Sequence, residues 1–207
     1  MICHRSAAAK WPRVEGYKMT KVAVLVGSLR QESFSRKVAK ALAELTPSLV
    51  LDFIDIGAVS YFNEDLEANP PADWQALRRR VSSADAVLFV TAEYVRSVPG
   101  VLKNAIDICA RPYGQGVLIG KPAAVISTSV GAVGGFGANH HLRQSLASLD
   151  MAVLGQPEAY IGNTGALFDA DGALVDERTR KFLATFGETF ETFIQRQAAR
   201  TEQRRVA

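Results

Sequence analysis

The sequence contains few cysteines and no long apolar run. Two of its 207 residues are cysteine, Cys3 and Cys109, and they form no C-x-x-C pair. This content does not fit a disulfide framework, whereas a reducing cytoplasm fits it well. No apolar segment approaches the roughly 20 residues that a helix needs to cross a bilayer, which predicts a soluble protein without a membrane partner.

A strong charge of either sign is also missing. The formal net charge is +3 at pH 7, because 24 basic and 21 acidic residues are scattered along the chain. The tail from Arg196 to Arg205 is locally basic. Nucleic-acid binding requires a concentrated basic patch, so this charge pattern argues against a nucleic-acid partner.

The chain predicts one domain with a short segment at each end. Residues 1–18 carry four Lys or Arg and a single Glu, and they lack the apolar run of a secretory signal. We therefore expect a disordered N-terminal extension there. Residues 19–200 are predicted to form the domain, since 48% hydrophobic content is sufficient for a sizeable core. Residues 201–207 then form a basic tail.

Apolar strands and amphipathic helices alternate about five times along the chain. Short runs rich in Val, Ile and Leu predict strands at 22–26, 50–54, 86–90 and 123–127, and an interrupted fifth strand at 152–154 and 159–161. Apolar residues three and four apart predict helices at about 35–45, 72–84, 101–110, 138–149 and 176–200. This alternation predicts a doubly wound α/β fold, in which a parallel sheet lies between two helix layers.

The turn after the first strand combines hydroxyl groups with one arginine. Ser28, Arg30, Ser33 and Ser35 lie between the buried strand and the start of the next helix. The first N–H groups of a helix attract phosphate, and a phosphate monoester of about −1.5 to −2 charge suits several donors and one cation. The turn lacks the G-x-G-x-x-G of dinucleotide sites. It predicts a phosphate site, and the open alternative is a serine-capped helix with a solvated arginine.

Two further loops that follow strands have an unusual composition. The segment 91–100 contains Glu93 and Tyr94, and the segment 128–137 is rich in hydroxyls and glycine. Ligands of open α/β sheets bind at the carboxyl ends of the strands. If the strands take the order 2-1-3-4-5, the three loops lie side by side and form one phosphate site with two walls of a ligand cleft.

Three segments of the chain carry a resemblance to a known family. They are Gly27-Ser28-Leu29-Arg30-x-x-Ser33-Phe34, then Glu93-Tyr94-x-x-Ser97-x-Pro99-Gly100-x-Leu102-Lys103-Asn104-Ala105-Ile106-Asp107, and Gly131-x-x-Gly134-Gly135 followed by His141-Leu142-Arg143-Gln144. Together they resemble the NAD(P)H-dependent FMN reductases, and within that family the soluble chromate and quinone reductases. The resemblance covers roughly residues 21–196. It implies a flavodoxin-like fold with a five-stranded parallel sheet in the order 2-1-3-4-5.

The resemblance also implies which residues hold FMN. In the phosphate loop they are Ser28, Leu29, Arg30, Ser33, Phe34 and Ser35; along the isoalloxazine they are Ala92, Glu93, Tyr94 and Val95; on its other side they are Thr128, Ser129 and Gly131. Ser35 stands where many members have Asn. No metal ligand is implied.

This chain departs from the family pattern at several positions. Ala92 and Val95 replace the Pro and Asn of the usual Pro-Glu-Tyr-Asn, and the lost amide affects the expected flavin affinity or redox tuning. In close relatives an Arg and a Tyr help to form a tetramer contact with a Glu. Here Gly137 and His140 stand at the first two positions and Glu158 is retained. We therefore expect a homodimer, and the homotetramer is the open alternative.

The resemblance implies an oxidoreductase without a catalytic side chain. NADH or NADPH passes a hydride to the flavin N5, and the reduced cofactor passes electrons to a quinone, a free flavin, an azo compound or a metal oxyanion such as chromate. The alternative is a flavodoxin-like electron carrier, which binds FMN but oxidises NAD(P)H slowly.

Several chemically notable residues have simpler structural interpretations. Cys109 lies on an apolar helical face and is expected in the core. His140 and His141 are adjacent, so they point about 100° apart on a helix and do not predict a zinc site. Tyr94 is expected to face the flavin. Glu93 is expected to act as a hydrogen-bonding element rather than as a general base.

Overall fold

The computed structural model describes residues 19–206, with side chains through residue 203. The extension predicted for residues 1–18 lies outside the described residues. The domain boundaries therefore stay predictions.

A parallel sheet forms the centre of the molecule. Its strands are β1 (Thr20–Val26), β2 (Leu49–Ile54), β3 (Ala86–Ala92), β4 (Pro122–Thr128), β5 (Ala152–Val153) and β6 (Ala159–Ile161). The strand order is β2-β1-β3-β4-β5, with β6 also paired to β4, and the pairings are parallel. The predicted order 2-1-3-4-5 is confirmed.

The fifth position of the sheet is shared by two short strands. β5 pairs with the first residues of β4, through Pro122 and Ala123, whereas β6 pairs with its last residues, from Ile126 to Thr128. The chain between them contains Pro157, which has no N–H group for a sheet ladder. The predicted interruption of the fifth strand is confirmed.

Five helices flank the sheet. They are α1 (Phe34–Leu45), α2 (Ala72–Ser82), α3 (Gly100–Cys109), α4 (Phe136–Ala147) and α5 (Glu177–Val206). The first four begin and end close to their predicted bounds. The fifth helix continues through Val206, beyond its predicted end near residue 200.

Alternate residues of the strands divide the core into two clusters. Val22 and Val24 of β1 pack in the cluster that includes α1 and α5, whereas Ala23 and Leu25 pack in the cluster that includes α2, α3 and α4. This alternation follows from the two-residue period of a strand, and it confirms the predicted three-layer architecture. On α5, Phe186 and Phe190 are buried in the first cluster, and Phe182 and Phe193 are partly buried against it.

The topology places three loops at one edge of the sheet. β1, β3 and β4 are neighbours, so the loops that follow them begin side by side at the carboxyl ends of parallel strands. The N–H of Gly27 donates to the carbonyl of Val90 at 2.9 Å, which connects the end of β1 to β3.

Within residues 19–206, no helix combines the length and the apolar character needed to span a bilayer.

Candidate active site

The three loops enclose a cavity of ≈ 180 Å³. Most of the predicted flavin-binding residues line it. They are Ser28, Arg30, Ser33, Phe34 and Ser35 from the first loop, Ala92, Glu93 and Tyr94 from the second, and Thr128 and Ser129 from the third. Residues that are up to about a hundred positions apart in sequence therefore meet at a single site.

Three of the predicted residues do not line this cavity. Leu29 is 55% exposed and lies against Gly57, and Val95 is 99% exposed. The carbonyl of Gly131 accepts from the N–H groups of Gly134 and Asn163, so Gly131 shapes the third loop. The structure thus separates residues that line the cavity from residues that support or flank it.

The first loop presents buried hydroxyls at the start of α1. Ser28, Ser33 and Ser35 are all buried. The Oγ of Ser33 accepts from the N–H of Arg36 at 3.2 Å and caps α1, as the serine-cap alternative predicted. A hydroxyl that accepts one bond retains its own proton, so Ser33 still has a donor to offer an anion. Ser35 differs, since its hydroxyl pairs with that of Thr128 at 2.7 Å.

Arg30 provides a positive charge that is not paired with an acid. Its side chain makes no hydrogen bond or ion pair with any residue in the described part of the chain. The nearby carboxylate of Glu32 pairs instead with the Nζ of Lys37 at 2.6 Å. That hydrogen bond lowers the pKa of the Glu32 carboxyl, and the charge of Arg30 makes a smaller contribution in the same direction. The guanidinium at the cavity is therefore available to an external anion.

The second loop contains a tight turn in an uncommon conformation. Tyr94 and Ser97 exchange two backbone N–H···O bonds of 3.0 Å, and the two residues between them, Val95 and Arg96, have φ values of 50° and 62°. These features define a turn that requires left-handed backbone at both central positions. A β-branched residue is a genuine outlier there. The turn leaves the Tyr94 ring half exposed beside the cavity.

Glu93 joins the second loop to the helix that follows the third. Its Oε2 accepts from the N–H of Ala138 at 3.0 Å, and its Oε1 pairs with the Nη1 of Arg96 at 3.0 Å. The N-cap of α4 is Gly135, which has no side chain to accept from the first N–H groups. A carboxylate is favourable at a helix N-terminus, so Glu93 supplies this missing cap. Its observed contacts are those of a hydrogen-bonding element.

The shape of the third loop is maintained by buried hydrogen bonds. The Oγ of Ser127 donates to the carbonyl of Gly134 at 2.7 Å and accepts from the Nδ2 of Asn139 at 3.2 Å. Gly134 has φ 64°, and a Cβ there would lie 2.6 Å from the carbonyl carbon of Tyr160. Ser129 accepts from the N–H of Gly131 at 3.1 Å and retains a proton for a ligand.

The two adjacent histidines bond to different elements. His140 Nε2 lies 2.9 Å from the hydroxyl of Tyr160, and His141 Nδ1 lies 2.8 Å from the Oγ of Ser97. Burial raises the pKa of the Tyr160 phenol to about 12, and a hydrogen bond to Glu158 adds to this shift. Among residues 19–203, no group of three or more metal-ligating side chains is present.

Cys109 does not line the cavity. Its side chain is fully buried in the cluster beneath α2 and α3. Burial raises the pKa of its thiol to about 12. The prediction that Cys109 belongs to the core is confirmed.

Thr164 also lines the cavity, although it is not among the predicted site residues. It lies in a 3₁₀ turn, Thr164–Ala166, which follows β6. It lines the same cavity as the three loops. A signal for it was present, because Thr164 is a hydroxyl residue just beyond the carboxyl end of a parallel strand, which is the criterion that selected the other loops.

Comparison with known proteins identifies the family. The family model of NADPH-dependent FMN reductases matches residues 20–166, a range that contains all three loops and Thr164. The chain belongs to this FMN reductase family. The predicted resemblance is confirmed, and with it the flavodoxin-like fold.

Individual relatives of this FMN reductase cover nearly its whole domain. A quinone reductase of Pseudomonas putida is 56% identical over 175 residues, which are 84% of this chain and 94% of that protein. A 2-hydroxy-1,4-benzoquinone reductase of a Burkholderia species is 46% identical over 175 residues, which are 84% of this chain and 96% of the relative. The solved structure of FerB, a flavoenzyme NAD(P)H:(acceptor) oxidoreductase from Paracoccus denitrificans, aligns with a TM-score of 0.81 at 42% identity, over 86% of this chain and 98% of that one.

Membership makes the chain an NAD(P)H-dependent oxidoreductase with FMN as its flavin. Family membership therefore favours an enzyme that oxidises NAD(P)H over the alternative, a flavodoxin-like electron carrier that oxidises it slowly. The residues at the cavity fit this cofactor, since the unpaired Arg30 guanidinium and the buried hydroxyls of Ser28 and Ser33 match the charge and acceptor oxygens of a phosphate monoester.

Proposed function

We propose that the cavity holds FMN and that the enzyme transfers electrons from NAD(P)H to a quinone. One observation carries the proposal: an arginine without a protein partner and a cluster of buried serines line the same cavity as a half-exposed aromatic ring. The arginine and the serines suit a phosphate, and the aromatic ring suits a flat ring system.

In this proposal the first loop binds the FMN phosphate. Arg30 supplies the fixed positive charge, and Ser28 and Ser33 donate hydroxyl hydrogen bonds. The N-terminus of α1 adds backbone N–H groups with partial positive charge. Ser35 acts indirectly, because its hydroxyl bonds to Thr128 and holds the first loop against the third.

The second and third loops form the walls around the isoalloxazine. All five predicted wall residues line the cavity. In this proposal Ala92, Glu93 and Tyr94 face one side of the ring, and Thr128 and Ser129 face the other. Bound FMN supplies the hydride and electron chemistry of the reaction, so the protein contributes binding, orientation and exclusion of water. Glu93 fixes the second loop relative to the third, because its carboxylate accepts from a backbone N–H of α4, the helix that follows the third loop.

Quinones are the acceptors that we propose. The relatives at 56% and 46% identity are named as quinone reductases. Exposed apolar groups near the cavity are also suited to a flat, weakly polar acceptor, because Tyr94 and Val130 line it and are 50% and 69% exposed. Chromate, azo compounds and free flavin rest on the initial resemblance alone.

We also propose a homodimer that works in the cytoplasm. Val133 in the third loop and Phe136 at the start of α4 are 62% and 48% exposed and offer apolar surface to a second copy of the chain. Light scattering coupled to size-exclusion chromatography tests this arrangement. A mass of one chain would contradict the dimer, and a mass of four chains would restore the tetramer.

The phosphate assignment is tested with Arg30→Ala. Loss of a charge-assisted hydrogen bond worth about 1.5–3 kcal/mol raises the Kd for FMN about 10- to 100-fold. Quenching of flavin fluorescence during titration measures this Kd. Arg79→Ala is the matched control, because Arg79 is an exposed arginine on α2, outside the cavity. Unchanged FMN affinity in Arg30→Ala would refute the assignment.

The catalytic cycle is tested by steady-state kinetics with NADPH and a panel of acceptors. Donor and acceptor that use one flavin face in turn give parallel double-reciprocal lines, whereas a ternary complex gives intersecting lines. The proposal expects parallel lines and a higher kcat/KM for quinones than for chromate, an azo dye or free FMN. A faster reaction with one of the other acceptors would change the proposed substrate.

A further inference from the structure

The hydroxyl of Thr164 is a buried polar group without a partner. The residue is fully buried, and its Oγ1 makes no hydrogen bond in the described part of the chain. Only one other buried side-chain nitrogen or oxygen among the described residues shares this property, the Nη2 of Arg78, which lies outside the cavity. An unsatisfied buried hydroxyl destabilises a fold, so it requires an explanation.

The position of Thr164 gives that explanation. Thr164 lines the proposed FMN cavity together with Ser33, Ser35 and Ser129. Its backbone N–H donates to the carbonyl of Ser129 at 3.2 Å, which attaches it to the third loop. This bond holds Thr164 among the residues that line the cavity.

The surrounding contacts associate Thr164 with the phosphate end of the cavity. Four residues further along the chain, Phe168 stacks on Phe34 of the first loop, with ring centroids 6.2 Å apart. The segment that begins at Thr164 thus packs against the proposed phosphate loop. A phosphate offers three acceptor oxygens, and a threonine hydroxyl is a donor of suitable chemistry.

A shortage of donors in the first loop supports the same placement. The hydroxyl of Ser35 is paired with Thr128, so it is less available to a ligand than its place in the sequence indicates. We propose that Thr164 donates its hydroxyl hydrogen bond to the FMN phosphate and completes the donor set begun by Arg30 and Ser33. This inference rests on the proposed phosphate site.

The test compares FMN with riboflavin, which lacks the phosphate. Thr164→Val keeps the shape and removes the hydroxyl. We expect the Kd for FMN to rise about tenfold or more while the Kd for riboflavin changes less than about twofold. Thr164→Ser retains the hydroxyl and keeps FMN affinity near that of the unchanged protein.

A second readout does not depend on the ligand. Thr164→Val removes an unpaired buried hydroxyl, so the FMN-free full-length chain is expected to melt at a higher temperature. Thr46→Val is the matched control, because the Oγ1 of Thr46 is buried but donates to the carbonyl of Leu42 at 2.7 Å. This control should leave the ratio of FMN to riboflavin affinity unchanged and should not raise the melting temperature.

The outcomes separate this inference from the proposed function. If the unchanged protein binds FMN no better than riboflavin, the phosphate site itself is wrong. If the unchanged protein prefers FMN and Thr164→Val keeps the full preference, only the role of Thr164 is overturned. Equal losses of FMN and riboflavin affinity would also overturn it, since they would place the hydroxyl elsewhere on the flavin.

Discussion

Replacement of Val95 by asparagine is expected to stabilise the protein. Val95 occupies the first central position of the turn between Tyr94 and Ser97, with φ 50°. Left-handed backbone costs an L-residue about 1–2 kcal/mol. Asparagine tolerates this region better than valine, since its short polar side chain bonds locally.

The expected gain in the free energy of unfolding depends on the contacts that Val95→Asn leaves unchanged. The side chain of Val95 is 99% exposed, so its removal sacrifices almost no buried apolar area. The two backbone hydrogen bonds of the turn do not involve Val95 and are retained. We therefore expect the free energy of unfolding to increase by about 1 kcal/mol, which raises Tm by about 2–4 °C in a protein of this size.

Urea denaturation measures this change, and Val175→Asn provides the control. Val175 is also an exposed valine, at 53%, but it is not among the described residues with positive φ. Both variants are compared without FMN and with saturating FMN, because any change in cofactor affinity also shifts apparent stability. Equal effects of the two substitutions, or a loss of stability in Val95→Asn without FMN, would refute the argument from backbone strain.

Three further predictions concern positions outside the flavin contacts. Gly134→Ala should destabilise the fold by more than about 2 kcal/mol, because the φ of 64° and the nearby carbonyl carbon of Tyr160 exclude a side chain. Gly155→Ala is the control and should be nearly neutral, because its added methyl group would meet no atom within 4 Å. In a Cys3→Ser background, Cys109 should react with a disulfide reagent only after unfolding, because burial raises the pKa of its thiol to about 12. Rapid reaction of the native protein would contradict this prediction. The ultraviolet difference between the unchanged protein and Tyr160→Phe should titrate near pH 12. Between pH 10 and 12 the unfolded chain loses this phenolic proton while the folded protein keeps it, so the free energy of unfolding should decrease as the pH rises. A titration of the Tyr160 signal near pH 10 would show that the phenol is not shielded by burial.

The strands and helices were predictable because their signals are local. Val22–Val26 is a continuous apolar run, and the inward residues of α1 recur at helical spacing. The strand order came with the family resemblance, since five apolar runs by themselves allow several orders. The end of α5 was missed because its last turns carry few apolar residues, so their periodicity is weak.

The sequence predicts which loops form the cavity, but it does not predict the position of every individual side chain in them. Ser28, Arg30 and Tyr94 were selected because they follow strands, and they do line it. The family resemblance also implies Val95 as a flavin contact, but the tight turn directs its side chain into solvent. Thr164 also follows a parallel strand, but its local sequence does not show that its hydroxyl is buried without a partner in the described part of the chain.

The amino-acid sequence by itself determined where the strands end and which residue types follow them, because periodicity and turn chemistry act over a few neighbouring residues. The tertiary structure decided which of those groups are available to a ligand. Ser35 and Thr128 are 93 positions apart, and only the packing of α1 on β4 brings their hydroxyls within hydrogen-bond distance. The same packing leaves the side chains of Arg30 and Thr164 without hydrogen-bond partners in the described part of the chain, since hydrogen bonds are short and depend on distances that only the folded chain establishes.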